Sequence, residues 1–477
     1  MRINGRPRTR PIIALVAAVG ALAVAGCGSS SSSSSSSSAA TSAATSAATS
    51  SSAATSSSAT SSAAATTGAS GGATAALTSC GSKQGVKATG SPIVLGAIET
   101  KQPGTDFSDI NNMEAAYFAC VNANGGVNGH PIQLISQYEQ TNPSQIAAEA
   151  KKLVQSDHVL AMSGSSSILE CTIDHKYWES LHFYVIAAGI APECYSTPNI
   201  ADVNMGPRYS SDGAVQYALT LHPSKIVFDQ SNVPGTGYIA AGPIALAKAA
   251  HVPITTVDAN VPISDANSVA IRDVTDAGSN GSVVLNYTPP EALVILQAAQ
   301  KLGLEDHVKS WGCSTPCDTD FLAKALGPKW NHKFFVNSEV LPPDTTQSAN
   351  MTLYRSVLKQ YGSNVSGGIG SFSQFGFAMG EIAQHALQSI TGPYTSAAVN
   401  KAFQSVKDFN TGQHCAAWTF GSYPLHIADN NDVTVTPENG KMILAQGCTL
   451  ISANDPQIAE YRKDAGTASV NPGAPTG

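Results

Sequence analysis

Short apolar runs alternate with longer amphipathic stretches from residue 91 onward, and this alternation restricts the fold more than any other feature of the sequence. The apolar runs are typical of buried strands and lie at 93–98, 159–162, 184–188, 226–228, 283–285 and 334–336, and residues 132–138 alternate as a strand does. Between the first two runs, Ile110, Met113 and Tyr117 recur at helical spacing. Strands separated by helices form parallel sheets with right-handed crossovers. The sequence therefore predicts an α/β fold in which the strand–helix cycle starts a second time at Ile226.

The N-terminus has the features of an export signal. Four arginines lie within the first ten residues, and an apolar run over 12–25 follows them. This run is too short to span a bilayer comfortably and has the charge order of a signal peptide. It ends in the sequence VAGC, which resembles the lipobox of bacterial lipoproteins and places a lipid-accepting cysteine at Cys27. Residues 1–27 are thus predicted to be a lipoprotein signal peptide; the alternative is an ordinary secretory signal with a chance cysteine.

A segment rich in serine, alanine and threonine follows the signal and is predicted to be a disordered tether over 28–78. It contains no apolar residue larger than alanine before Leu77, so it lacks the surface that would offset the entropy of ordering. A G-x-S-x-G match around Ser70 lies in this segment, without the strand and helix that a nucleophile elbow requires. We interpret it as a chance match.

Composition and motifs exclude several classes of function. The formal net charge is −7 and no basic patch is present, which argues against nucleic acid binding. No apolar run after residue 25 has the length of a transmembrane helix. Cys313 and Cys317 lack the second close pair that a zinc site needs, and the folded part contains neither HExxH nor a P-loop. We therefore expect no metal, no cofactor and no catalysis.

Several segments carry a resemblance to a known family. They read IVLGAIETKQPGTDF from residue 93, NANGGVNGHPIQL from 122, AMSGSSS from 161, YVIAAGIAPE from 184 and WTFGSYPLHIADNNDVTVTPENGKMILAQG from 418. These segments resemble type 1 periplasmic binding proteins, in particular the leucine/isoleucine/valine-binding branch. The resemblance extends over nearly all of residues 91–450, and the second segment is its most specific part.

The resemblance implies two Rossmann-like lobes that are joined by three crossings, with a ligand cleft between them. The first lobe is expected at 91–208 with about 339–412, the second at 209–338 with about 413–460, and a flexible tail at 461–477. It also implies a monomer that captures a small polar or amino-acid-like ligand for the permease of an ATP-binding cassette (ABC) importer. Together with the lipid anchor, this places the protein on the outer face of the cytoplasmic membrane.

Eight cysteines remain beyond Cys27, and an even number in an exported chain indicates disulfides. Two of the pairs follow from position, because one joins the loops at adjacent strand ends and another flanks the expected terminal hairpin. The predicted pairs are Cys80–Cys120, Cys171–Cys194, Cys313–Cys317 and Cys415–Cys448. The shortest loop, closed by the third pair, should add the least stability on the entropy model.

Ser165 and Ser166 are predicted to bind the ligand, because they follow a strand and precede a helix. Ser167 and Glu170 have the spacing of a capping box, so we assign Ser167 to the helix. The hydroxyls of Ser165 and Ser166 then remain beside the unpaired N–H groups of a helix N-terminus. Such a terminus favours the binding of a carboxylate. In the family, the matching serines hold the carboxylate of the ligand.

The loops that follow two other strands supply further predicted ligand contacts. Ala188 and Gly189 lie where the family presents small residues, and Ile190 replaces a threonine that is common there. Tyr287 follows the strand at 283–285. Phe107 is an aromatic residue that either lines the cleft or belongs to the core.

Glu291 has two interpretations that the sequence leaves open. Its position resembles that of the family carboxylate that pairs with a ligand ammonium. Thr288 and Glu291 also have the spacing of a capping box, with Pro289 in the first turn, which explains the glutamate without a ligand.

We therefore predict an extracytoplasmic solute-binding lipoprotein without catalytic activity. The alternative is a ligand sensor subunit of the same fold, because closure of two lobes serves signalling as well as transport. A hydrolase that shares the sheet order is disfavoured by the missing catalytic motifs.

Overall fold

The computed structural model describes residues 73–421, 426–466 and 469–476. The predicted signal peptide with Cys27, and the predicted tether as far as residue 72, lie outside the described residues. Across the described ranges, strands form two mainly parallel sheets against which helices pack, as predicted for an α/β fold.

The first sheet is built from the N-terminal strands. Its members are β1 (Ile93–Gln102), β2 (Thr105–Asp106), β3 (Ile132–Glu139), β4 (Ala161–Ser165), β5 (Val185–Ala187) and β6 (Ile200–Asp202). The parallel strands have the order β3-β1-β4-β5-β6, and β2 pairs antiparallel with the end of β1. Residues 95–100 of β1 are all buried, which is typical of a parallel strand covered on both faces.

The second sheet is built from later strands. Its members are β7 (Ile226–Ser231), β8 (Ile254–Ala259), β9 (Ser282–Asn286), β10 (Ser310–Cys313), β11 (Phe334–Ser338), β12 (Asn431–Glu438) and β13 (Lys441–Leu450). Their order is β13-β12-β11-β10-β9-β7-β8, and all pairs are parallel except β11–β12 and β12–β13. The antiparallel hairpin β12–β13 therefore extends a parallel sheet at the β11 edge.

Helices connect most of the strands. They are α1 (Ser108–Ala123), α2 (Pro143–Gln155), α3 (Glu170–Ser180), α4 (Pro192–Ser196), α5 (Gly206–Thr220), α6 (Ala241–Ala249), α7 (Ala266–Ala277), α8 (Pro289–Lys301), α9 (Asp320–Leu326), α10 (Ala349–Tyr361), α11 (Ser371–Gln388), α12 (Ser396–Gln404) and α13 (Pro456–Ala465). Short 3-10 helices lie at Thr315–Cys317 and Pro328–Trp330.

The chain returns to the first sheet after β11. Helices α10 and α11 pack on α1, and α12 contacts β4. Gly376 of α11 allows the close approach, because a Cβ there would lie 1.9 Å from the carbonyl oxygen of Ile110. Tyr117 of α1 donates a hydrogen bond to Gln384 of α11, with 2.9 Å between the oxygens. Each lobe is thus completed by residues far away in the sequence.

Disulfides in the described part of the chain join Cys80–Cys120, Cys171–Cys194, Cys313–Cys317 and Cys415–Cys448. These are the pairs predicted from the sequence. Their Cα–Cα distances, from 5.1 to 6.1 Å, lie within the range that a disulfide can span.

The C-terminal residues pack against the terminal hairpin, although the sequence places them in a flexible tail. Asn471 donates its backbone N–H to Cys415, and Cys448 donates its N–H to the carbonyl of Pro475. Helix α13 also extends past residue 461, where the tail was expected to begin. No helix within the described ranges is long and apolar enough to cross a membrane.

Candidate functional site

A cavity lies where the carboxyl ends of the strands of both sheets face each other. Its empty space, together with the solvent-filled opening, is about 770 Å³. From the first sheet it is lined by Gly104, Thr105, Phe107, Ile110, Ile168, Ala188 and Ile190. From the second sheet it is lined by Ser231, Val233, Asn286, Tyr287, Thr315 and Pro316. Strand ends of two open parallel sheets thus form one binding cleft, as the general rule for such sheets predicts.

Much of the cavity wall is apolar. Phe107 and Phe372 pack edge to face with 5.5 Å between their ring centroids. Phe375 and Ile110 are buried beside them, and Ile239 contributes from the opposite side. Such a surface favours a ligand with an apolar body, because its burial removes apolar area from water.

Glu339 supplies a carboxyl group to this wall, and no lysine, arginine or histidine is among the lining residues of the described structure. The carboxyl accepts a hydrogen bond from the backbone N–H of Met205, and the hydroxyls of Thr315 and Ser210 are its polar neighbours. Burial raises the pKa of Glu339 to about 8, against the lowering effect of these polar groups. The group is therefore mostly protonated at neutral pH.

A family model described as "Periplasmic binding protein" matches residues 108–430, which span both sheets and the cleft between them. The chain belongs to the periplasmic binding protein family. No significant match was found among curated proteins.

Solved periplasmic binding proteins have the same fold at low sequence identity. A fatty acid ABC transporter substrate-binding protein from Thermomonospora curvata has a TM-score of 0.64 and 16% identity, covering 78% of this chain and 96% of that one. A branched chain amino acid ABC transporter protein from Thermus thermophilus with bound valine has a TM-score of 0.65 and 15% identity, covering 77% and 98%.

A third similar structure is an ABC transporter solute-binding protein from Rhodopseudomonas palustris in complex with p-hydroxybenzoic acid. Its TM-score is 0.63 at 14% identity, and the alignment covers 76% of this chain and 98% of that one. At these identities, the likeness shows the two-lobed fold of a periplasmic binding protein and not its ligand.

Ser165 and Ser166 do not line the cavity of this periplasmic binding protein. Both are at most 1% exposed. The hydroxyl of Ser165 donates to Glu170 at 3.0 Å, and that of Ser166 donates to Asn111 at 3.0 Å. The geometry therefore corrects the prediction that Ser165 and Ser166 bind a ligand carboxylate, because both hydroxyls already donate to acceptors inside the protein.

Ser167 bonds to the backbone just before and at the start of α3, but the N-cap of this helix is Leu169, which makes no side-chain cap. The hydroxyl of Ser167 accepts from the backbone N–H of Glu170 at 3.0 Å and donates to the buried Glu139 at 2.8 Å. The Glu170 side chain does not complete a capping box, since it accepts from Ser165 and from the indole N–H of Trp178. The loop after β4 is thus turned towards carboxyl groups inside the first lobe.

Glu291 has neither of the two roles that the sequence left open. It does not line the cavity, and Thr288 makes no side-chain cap at the start of α8. Its Oε2 instead accepts from the backbone N–H of Ile263 at 2.7 Å, and the residue is buried. The carboxylate ties the loop after β8 to α8, and this loop is distant in sequence.

The remaining predicted contacts divide into lining and supporting residues. Ala188, Ile190 and Tyr287 line the cavity. Gly189 lies behind the wall, where its N–H donates to Asp202 at 2.6 Å. A Cβ on Gly189 would lie 2.3 Å from the sulfur of Cys194, so the glycine allows the disulfide to pack directly behind the wall.

Glu339 and Asn286 are two polar lining residues that the sequence analysis missed. Each ends or follows a strand of the second sheet, so the rule that ligands bind at strand ends could have indicated them. No group of metal-ligating side chains that could hold an ion occurs among the described residues.

Proposed function

We propose that this periplasmic binding protein is the solute receptor of an ABC importer. The cavity between the two sheets is the observation that carries the proposal, because loops from both lobes contribute to its wall. A ligand that touches both lobes stabilises the closed arrangement and shifts the population towards it. The similar solved structures include ABC transporter proteins, which supports the same role.

The receptor acts as a monomer on the outer face of the cytoplasmic membrane, held there by a lipid on Cys27. The arginine-rich start, the short apolar run and the sequence VAGC support this part of the proposal. Several acyl chains on one cysteine anchor a protein firmly, whereas a single chain holds it only marginally.

The Cys27→Ala variant tests the anchor. We expect the variant to move from the membrane fraction to the soluble fraction, since it lacks the thiol that accepts the lipid. Fractionation after a high-salt wash, with the wild-type chain as control, measures this. Retention of the variant on membranes would contradict the lipoprotein assignment.

The Ile190→Trp variant tests the cleft. The larger side chain fills space at the cavity wall, so we expect it to abolish capture of small molecules from a cell extract, as measured by native mass spectrometry. Ile244→Trp is the matched control, because Ile244 is 41% exposed and outside the cavity. Equal capture by both variants would place the binding site elsewhere.

The importer itself provides the decisive measurement. We expect the ligand-loaded receptor to stimulate ATP hydrolysis by the permease complex in proteoliposomes, whereas the Ile190→Trp variant should not. Capture of a ligand without any stimulation would favour the sensor alternative over transport.

A further inference from the structure

The cavity offers a ligand apolar surface and no positive charge. The apolar side chains on the wall include Phe107, Ile110, Val233, Ile239, Phe372 and Phe375. Among the lining residues of the described structure there is no lysine, arginine or histidine. A carboxylate that left water for this cavity would lose its hydration without gaining a counter-charge, which is unfavourable.

The protein's own carboxyl group occupies a donor that would suit an anion. Met205, at the start of α5, donates its N–H to Glu339. The hydroxyl of Ser210 donates to Thr315, with 2.7 Å between their oxygens, so it is not free for a ligand either. A ligand carboxylate would therefore find this helix terminus already occupied.

Neutral hydrogen-bonding groups remain on the wall. Asn286 accepts from the hydroxyl of Ser314 at 2.7 Å through Oδ1, while its Nδ2 makes no hydrogen bond to any described residue. The hydroxyl of Thr105 likewise has no hydrogen-bond partner within the described ranges. Both residues line the cavity and are at most 6% exposed, so a ligand is their natural partner.

We propose that the cleft selects an uncharged ligand with an apolar body and one hydroxyl, carbonyl or amide end, which Asn286 and Thr105 hold. This inference rests on the proposed receptor function and names its substrate class. It replaces the amino-acid-like ligand expected from the sequence, because Ser165, Ser166 and Glu291 do not reach the cavity.

Two matched sets of probes test the charge selection. Benzyl alcohol, benzoate and benzylamine share one apolar body, and isoamyl alcohol, isovalerate and isoamylamine share another. Calorimetry at neutral pH should show that the alcohol of each set binds at least about tenfold more tightly than its charged partners. L-Leucine, a zwitterion, should bind no better than the charged probes.

Asn286→Asp tests the polar end. The aspartate keeps the acceptor for Ser314 but removes the Nδ2 donor, so we expect the affinity for the alcohols to fall roughly three- to tenfold. Asn232→Asp is the matched control, because Asn232 is exposed and outside the cavity. Thr105→Val keeps the shape of the side chain and should lower the affinity for the alcohols by a similar factor. This second variant keeps the test valid if Asn286→Asp misfolds.

The outcomes separate the ligand class from the receptor function. Tighter binding of a carboxylate, an amine or leucine would overturn the ligand class and leave the receptor function in place. The ligand class would also be overturned if no probe binds while native mass spectrometry detects a charged solute captured from an extract. Failure to capture any solute would contradict both proposals.

Discussion

Buried carboxyl groups are concentrated behind the cleft wall of the first lobe. Glu114 accepts from the hydroxyl of Ser163 at 2.5 Å, and Glu170 accepts from Ser165. Burial raises the pKa of each of these two glutamates to about 8. Hydroxyls of β4 therefore bond to internal carboxyl groups, which explains why they are not available to a ligand.

The raised pKa of Glu114 predicts a loss of stability with rising pH. The unfolded carboxyl releases its proton near 4.5, whereas the folded one keeps it to about 8. The free energy of unfolding should therefore fall as the pH rises through this interval. Glutamine cannot ionise, so Glu114→Gln should lose less stability than the wild type between about pH 5 and pH 8.

Urea denaturation at the two pH values measures this difference. Glu179→Gln is the matched control, because Glu179 is exposed on α3 and should retain the pH dependence of the wild type. If the free energy of unfolding of Glu114→Gln changes with pH as much as that of the wild type, the carboxyl at position 114 does not keep its proton in the folded state.

At the scale of elements, two disulfides lie directly behind loops of the cavity wall. Cys313 and Cys317 enclose Thr315 and Pro316, which line the cavity. The Cys171–Cys194 disulfide packs behind Gly189, and the two neighbours of this glycine in the chain, Ala188 and Ile190, line the cavity. Each lobe thus has a strand-end loop that a covalent bond holds in place.

Removing Cys313–Cys317 should mobilise the loop more than it destabilises the fold. The bond closes a loop of 4 residues, whereas Cys80–Cys120 closes one of 40. The entropy model gives about 2 kcal/mol for the short loop and about 4 kcal/mol for the long one. We expect Cys313→Ser/Cys317→Ser to speed amide exchange locally around Thr315, with the smaller decrease in melting temperature.

Hydrogen exchange with mass spectrometry and thermal melting measure both quantities. Cys80→Ser/Cys120→Ser is the control, and it should melt at a lower temperature with unchanged exchange near Thr315. The reverse pattern would show that the short disulfide serves global stability and not the cavity wall.

At the scale of the whole molecule, the C-terminal residues complete the second lobe. Hairpin β12–β13 extends the sheet at β11, and residues 469–476 bond to the hairpin and to the segment before it. Arg208 of α5 forms a buried ion pair with Asp455 before α13, with 2.7 Å between nitrogen and oxygen. The last part of the chain therefore contributes to the packing of the lobe.

A chain that ends at Gly466 should melt at a lower temperature. It loses the backbone hydrogen bonds that join Asn471 to Cys415 and Cys448 to Pro475. At about 0.5–1.5 kcal/mol each, these bonds together contribute about 1–3 kcal/mol. Calorimetric melting checks this, and full-length Asn471→Ala, which keeps the backbone bonds, should lose less. An unchanged melting temperature would support the flexible tail expected from the sequence.

The strand–helix alternation was sufficient to predict the α/β fold and most of its strands. The runs at 93–98, 226–228 and 283–285 lie within observed strands, because a parallel strand that is buried on both faces needs a continuous apolar run. Residues 132–138 alternate apolar and polar and lie within β3, which is only partly buried. Strands β2, β6, β8 and β10 were missed. These strands are short or only half-buried, so their sequences show no clear strand pattern. They are strands because they pair with neighbouring strands of the sheet.

The cleft also followed from the sequence, whereas the residues that line it depended on tertiary contacts. Loops after strands are local features, so Ala188 and Tyr287 could be assigned to the strand ends that face the cavity. Ser166 bonds to Asn111, 55 residues away, and Glu291 bonds to Ile263, 28 residues away. Local sequence shows that a side chain is polar, but the folded chain decides whether an internal partner or a ligand satisfies it.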